Sequence, residues 1–445
     1  MYGLPTGVRG MKYAWLAWLP MLFLPNVGGI GGPTAFGSLD LSDYLIVPFV
    51  VMVTLDGGLR RGRLLVDRTA PLFFCFVFWA LFSTLLIRER FDYPGDQQVI
   101  FGALKLGKLS LYGLAGLLVA RALRDDYTRR LFLWSLLAAG VVNAVALTSF
   151  QPGQTGSSAA GQRILVEGYK ANNAVSAMMA VLITYLGSVL LTGQGSHFWR
   201  IAAGPGIAVM GLGFLISKGR GGWAAALVGA AYLFHRRGLS LRTLTGVCLV
   251  VLLLAVAYLE VPDFQAEVDR TLWPDQLYLQ RYQAGIAGFD DGVRWVCWTN
   301  EAAKLVHDPL LGTGFFHRGG KTALWIDGSH NFFLQMFLET GVVGGLLVLA
   351  TGLQMWRQAG SAAILAPGLV TSLRAALLAA WVGGMSGEYF YGGTGLLVLL
   401  LVYAPVGSFA LPATNPNLPP EPRAVRRKRS FRPPSAQPVT SGDET

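Results

Sequence analysis

The sequence predicts an all-α fold: a polytopic membrane protein with about twelve transmembrane helices and one long extracytoplasmic loop. Three observations carry this. Of the 445 residues, 53% are hydrophobic and 14% charged, and the mean hydropathy is +0.47, more apolar surface than a water-soluble core absorbs. Apolar runs near spanning length recur along the chain. Dense Lys/Arg clusters occupy every second connection between those runs, the asymmetry that orients a chain in a bilayer. The formal charge of +11 therefore does not point to nucleic acid, because the basic residues sit in these clusters and in the last stretch of the chain.

Arg9 and Lys12 precede an apolar run from Tyr13 to about Pro25, which reads either as a first span or as a signal peptide. Both readings deliver Gly28 to Ser42 to the outside. A second span, about Leu41 to Leu55, ends at Arg60, Arg61, Arg63 and Arg68, a basic connection expected on the cytoplasmic side. Spans at about 71–87, 102–120 and 131–149 follow, with Arg121, Arg124, Arg129 and Arg130 between the last two. Past an outer loop from Gln151 to Asn172 come spans at about 173–192 and 201–217. A leg from Trp223 to Phe234 then ends at His235, Arg236, Arg237 and Arg242. At roughly a dozen residues it is below spanning length, so the turn SKGRGG at 217–222 is expected in a recess under the outer surface. A span at about 241–259 completes the first transmembrane block, residues 1–259.

Residues 260–329 form a connection of roughly seventy residues, far beyond the usual loop length. Trp273, Tyr278, Tyr282, Trp295, Trp298 and Trp325 make it a folded extracytoplasmic cap rather than a tether. Spans starting at His330 and at about 363–384 and 393–411 form a second block, 330–411. The Pro-rich segment 412–445, with RRKR at 426–429, reads as a disordered basic cytoplasmic tail. Both termini then lie inside. Cys75 and Cys248 fall in apolar runs and Cys297 in the polar loop, which supplies no disulfide framework. No repeat of fixed period stands out.

The chain is organised around SHNFFLQMFLETGVVGG at 329–345, the junction between the long loop and a membrane helix. A histidine at the water boundary can take a proton from an attacking hydroxyl, which makes His330 a candidate base. The alternative is that His330 and Asn331 cap the helix and anchor it at the interface. Glu339 lies on the side opposite His330 and on the same side as Gln335. An acid inside a span is costly unless paired, so Glu339 is expected to bond to a neighbouring span, with Arg374 as a partner if the last three spans pack at matching depths. Asn331, Gln335 and Glu339 are therefore supporting residues. Gly341, Gly344 and Gly345 admit close approach of a neighbouring backbone.

Arg220, Arg294 and Lys218 fall on the same outer face as His330, together with His317, Arg318 and Lys321. Arginine presents a planar, permanently charged fork to phosphate oxygens and stabilises a departing diphosphate. Arg220 also reads as an interfacial arginine that snorkels outward, although the GRGG glycines leave backbone amides accessible to an anion. Arg294 also reads as a salt-bridge partner of Asp290 or Asp291. No D-x-D pair, HExxH, His/Cys ligand cluster, P-loop or dinucleotide fingerprint is present, so neither a metal nor a cofactor is expected.

Four segments in order are similar to the O-antigen ligase and O-antigen polymerase family of bacterial polytopic glycosyltransferases. They are YKANNAVSAMMAVL at 169–182, LISKGRGGWAAAL at 215–227, GVRWVCWTNEAAKLVHDPLLGTGFF at 292–316 and the 329–345 stretch. The resemblance implies that Arg220 and Arg294 hold the diphosphate of an undecaprenyl-diphosphate-linked glycan donor, that His330 activates the acceptor hydroxyl, and that the anomeric carbon is inverted. Ser217 is separated from Arg220 by Lys218 and Gly219, whereas the family places a serine directly before its arginine; Lys218 shares the role in this register. Gly292 and Val293 precede Arg294 where the family often has Ser-Gly.

The resemblance favours a metal-independent polymerase of O-antigen or exopolysaccharide units. Its alternatives are a ligase joining the glycan to lipid A core and a protein O-oligosaccharyltransferase. The implied partners are the lipid-linked donor, a glycan or lipid A core acceptor, membrane lipids and a chain-length regulator, with no nucleic acid. The implied location is the bacterial inner membrane, with the active site facing the periplasm. A transporter or flippase is the rival class. It is disfavoured because coupled transporters place carboxylates near mid-membrane, and Glu339 is the only acid well inside a predicted span.

Overall fold

The computed structural model describes residues 13–22, 41–59, 69–87, 96–123, 126–149, 172–193, 196–216, 220–237, 308–315, 331–361 and 367–385, with isolated positions between 256 and 306. Every described element is helical: α1 (Ala14–Leu22), α2 (Leu41–Leu59), α3 (Thr69–Ile87), α4 (Asp96–Ala122), α5 (Asp126–Ser149), α6 (Asn172–Leu191), α7 (His197–Ile216), α8 (Arg220–Arg237), α9 (Phe332–Ser361) and α10 (Pro367–Met385). Four are long and apolar enough to cross a membrane, over Thr69–Leu86, Gly102–Ala120, His197–Leu215 and Phe332–Gly360; shorter apolar helices run over Leu45–Asp56, Ser176–Leu191 and Val370–Met385. The chain is an all-α polytopic membrane protein. Most of the predicted span at 241–259, all of that at 393–411 and most of the predicted cap lie outside the described residues. Contacts divide the chain into Met1–Leu411 and Pro412–Thr445, and all described residues belong to the first unit.

Large apolar side chains such as Phe78, Leu104, Ile201 and Leu227 are exposed on the helices, as expected where hydrocarbon rather than water is the neighbour. Lipid gives two apolar helices no solvent-driven reason to associate, so close packing of small residues and polar bonds between helices takes over. Helices α6, α8 and α10 pack mutually on this basis. Gly229 leaves room for Thr184 and stands against the Ala375 carbonyl, and Ser188 Oγ and Ser372 Oγ are 2.7 Å apart. Between α5 and α7, a Cβ on Gly213 would stand 2.7 Å from the Ala144 Cα.

Helix α3 packs against α9 in antiparallel fashion. Thr69 Oγ1 donates to Gln358 Oε1 at 2.6 Å near one end, and Trp79 Nε1 donates to the Thr340 carbonyl at 2.8 Å farther along.

Three expectations change. The short leg from Trp223 to Phe234 is the interior of an 18-residue helix that starts at Arg220, so residues 220–222 form a helical first turn rather than a recessed loop. Gly222 faces Ser176 so closely that any Cβ would overlap it; the glycine serves helix packing. The second span continues past Leu55 to Leu59, which places Asp56 inside α2 with 1% exposure. Glu339 is therefore not the only buried acid. Asp56 Oδ2 accepts from Trp15 Nε1 at 2.9 Å, which ties α1 to α2, while Ser135 Oγ donates to the Leu16 carbonyl at 2.9 Å and ties α1 to α5.

Candidate active site

The junction predicted at 329–345 resolves into a helix start, a buried polar pair and a helix break. Asn331 caps α9: its Oδ1 accepts from the Phe333 and Leu334 amides at 3.0 and 3.2 Å. That satisfies two amides that a helix start otherwise leaves without an intrahelical partner. One turn in, Gln335 Nε2 donates to Glu339 Oε1 at 2.6 Å. Both side chains are buried, at 5% and 1% exposure. The carboxylate thus has a donor on its own helix.

Arg374 is held elsewhere. Its guanidinium lies 4.8 Å from the Trp356 ring centre, and its Nη2 donates to the Trp356 carbonyl at 3.4 Å. At about 1.5 Å per residue, Trp356 is roughly 25 Å along the helix from Glu339, which removes Arg374 as its partner.

The helix breaks at Gly341, with φ 68° and ψ −176°, a backbone region open essentially to glycine alone. A break deprives the preceding carbonyls of their intrahelical donors, and in a membrane protein those carbonyls need replacements. The segment Asp308–Phe315, drawn from the third resemblance motif, supplies them. The Thr313 amide donates to the Leu338 carbonyl at 2.8 Å and the Gly314 amide to the Glu339 carbonyl at 2.9 Å, while the Val342 amide, beyond the break, donates to the Pro309 carbonyl at 2.7 Å. The Thr340 carbonyl receives Trp79 Nε1 from α3. Of the three glycines expected to admit a neighbouring backbone, Gly341 does so, lying against the Leu310 carbonyl; Gly344 and Gly345 instead face the Thr340 and Phe337 side chains.

Helix α3 also grips the segment. Ser83 Oγ donates to the Leu311 carbonyl, and the Phe315 amide donates to Thr84 Oγ1 at 2.9 Å. Sequence reasoning missed these two residues. Their signal is visible in hindsight as a Ser-Thr pair inside the otherwise apolar run FWALFSTLLI.

Along α9, from Phe332 to Met355, lies an apolar cavity of about 410 Å³, lined by Phe315, Phe332, Met336, Leu349, Met355 and Trp381 among others. Its walls offer dispersion and apolar burial to a hydrocarbon group.

Of the predicted site residues, Asn331, Gln335 and Glu339 share the first turns of α9. Arg220 opens α8. Lys218, Arg294 and His330 lie outside the described residues, as do His317, Arg318 and Lys321.

Residues 205–349 match the family model described as O-antigen ligase, Wzy_C. The matched region takes in α8, the Asp308–Phe315 segment and the first half of α9 with its break. No curated protein matches the chain.

Proposed function

We propose, from the O-antigen ligase domain that the chain carries over residues 205–349, that this protein is a membrane glycosyltransferase. It moves a glycan from an undecaprenyl-diphosphate carrier to a hydroxyl acceptor in O-antigen-related glycan assembly. The match is the observation that carries the reading, because Lys218, Arg220, Arg294 and His330 all fall inside it. The family's description as an O-antigen ligase favours ligation to a lipid A core acceptor over the polymerase reading that the resemblance favoured. The apolar cavity along α9 supports a donor with a hydrocarbon portion.

In this reading His330 takes the proton of the acceptor hydroxyl as its oxygen attacks the anomeric carbon. The bond from that carbon to the diphosphate oxygen breaks, and the diphosphate leaves with the bonding pair, neutralised by Arg220 and Arg294 with help from Lys218. Direct displacement inverts the anomeric carbon. Asn331 holds the helix start next to His330, and the Gln335–Glu339 pair supports the turn below. The location that fits is the bacterial inner membrane, with the site on the periplasmic side.

The test is the glycan profile, by gel, of cells whose only copy carries His330→Ala, beside wild type and a deletion, with expression checked. Polymer accumulating on the lipid carrier in both mutants is the expected result for a ligase. Single repeat units on the final acceptor would mean a polymerase instead. A wild-type profile from His330→Ala would remove the proposed base and reopen the transporter reading.

A further inference from the structure

Helix α3 ends its apolar course with two hydroxyls that both point at one segment of a distant part of the chain. Ser83 Oγ donates to the Leu311 carbonyl. Thr84 Oγ1 donates its own hydrogen to the Ala80 carbonyl at 2.6 Å and accepts from the Phe315 amide at 2.9 Å. Because the Thr84 hydrogen is committed to its own helix, the lone pairs are left in a fixed direction, and the Phe315 amide has one place to dock. Helix α4 closes the other side: a Cβ on Gly102 would stand 2.6 Å from the Phe315 carbonyl oxygen. The Phe315 side chain is 4% exposed, with its ring 6.4 Å from that of Phe76.

We propose that Ser83 and Thr84 are positioning residues for the candidate active site, fastening Leu311 and Phe315 so that the family segment enters the site from a fixed point. Both hydroxyls lie outside the matched region, so the N-terminal half of the chain completes a site that the family domain does not hold alone. Phe315 is set by α3 and α4, and Asn331 by its cap on α9. Backbone bonds to the broken helix hold Pro309, Thr313 and Gly314 whatever their side chains. The hydroxyls of α3 extend the hold to Phe315. The inference rests on the proposed function, in which the chain next to Asn331 carries the base.

The experiment uses the full-length protein in native membranes and measures glycan transfer with the lipid-linked donor. Thr84→Val keeps the shape and removes the acceptor; Thr84→Ser keeps it; Ser83→Ala removes the second tie. The expected result is a kcat about tenfold lower in Thr84→Val and Ser83→Ala, with KM within about twofold, because misplacement of a reacting group costs rate more than binding. Thr84→Ser should restore kcat to within about twofold, and Ser110→Ala, which removes a hydroxyl bonded within its own helix, should leave kcat at the wild-type level.

A second readout is independent of transfer. Thr313→Cys, in a chain whose native cysteines are replaced, is modified by N-ethylmaleimide in membranes, and adding Thr84→Val should raise that rate about tenfold. Wild-type kcat and labelling in Thr84→Val, with His330→Ala inactive, would overturn the positioning role and leave the proposed function standing. Full activity in His330→Ala would remove the proposed function and the positioning role with it. Equal loss in Thr84→Val and Thr84→Ser, with both proteins scarce in the membrane, would overturn the proposal in favour of a folding role.

Discussion

Gly312 and Gly341 meet backbone to backbone: a Cβ built on Gly312 would stand 2.5 Å from the amide nitrogen of Gly341. Both have positive φ, 70° and 68°. The contact lets the Asp308–Phe315 segment lie in the break of α9 and donate to its orphaned carbonyls. Alanine at either position meets two penalties, a backbone conformation disfavoured by about 1–3 kcal/mol and overlap with neighbouring backbone that cannot rotate away. Gly312→Ala and Gly341→Ala should each lower the thermal unfolding midpoint in detergent and the yield of folded protein. Gly107→Ala, where an added Cβ meets nothing within 4 Å, should leave both unchanged or slightly raised through helix propensity. Equal effects at all three positions would contradict the backbone contact.

The Gln335–Glu339 bond predicts a polar cost with no counterpart at Arg374. Gln335→Leu removes a donor from a buried carboxylate and should destabilise the protein by about 1–3 kcal/mol in reversible unfolding. Glu339→Gln and Arg374→Met combined should show a coupling no larger than about 0.5 kcal/mol, because Arg374 is bound at Trp356, far along α9 from Glu339. A larger coupling would restore Arg374 as the partner of Glu339.

Trp15 and Asp56 join the first two helices. Trp15→Phe keeps the ring and deletes the Nε1 donor, so a buried carboxylate loses a bond; the expected cost is about 1–3 kcal/mol, read as a lower unfolding midpoint. Transfer activity per folded molecule should stay at the wild-type level, because the bond these residues share joins α1 to α2. A fall in kcat without a fall in stability would show that this pair reaches the site.

Much of the fold was legible in the sequence because a bilayer enforces it. Lipid offers the backbone no hydrogen bonds, so an apolar run of spanning length folds as a helix whatever surrounds it. The runs at 71–87, 102–120 and 131–149 correspond to α3, α4 and α5 on this ground. Asn331 was legible as a helix start for an equally local reason, since its side chain caps amides two and three residues on. Helical spacing placed Gln335 and Glu339 on one side of the helix, but the bond between them was not read from it, since Glu339 was expected to bond to a neighbouring span.

What only the tertiary structure decided depends on residues far apart in the chain. The second span read as ending near Leu55, and the burial of Asp56 just beyond it depends on a donor, Trp15, that belongs to another helix. GRGG read as a loop open to an anion because Ser176, which Gly222 faces, is on α6. The break at Gly341 is invisible to hydropathy: the run from Phe332 to Ser361 is apolar on both sides of it, and a glycine permits a break without requiring one. What requires it here is the Asp308–Phe315 segment, whose amides reward the broken helix with hydrogen bonds, and the Trp79, Ser83 and Thr84 side chains that hold both in place. Local spacing determined where helices form; long-range hydrogen bonding determined where one of them opens.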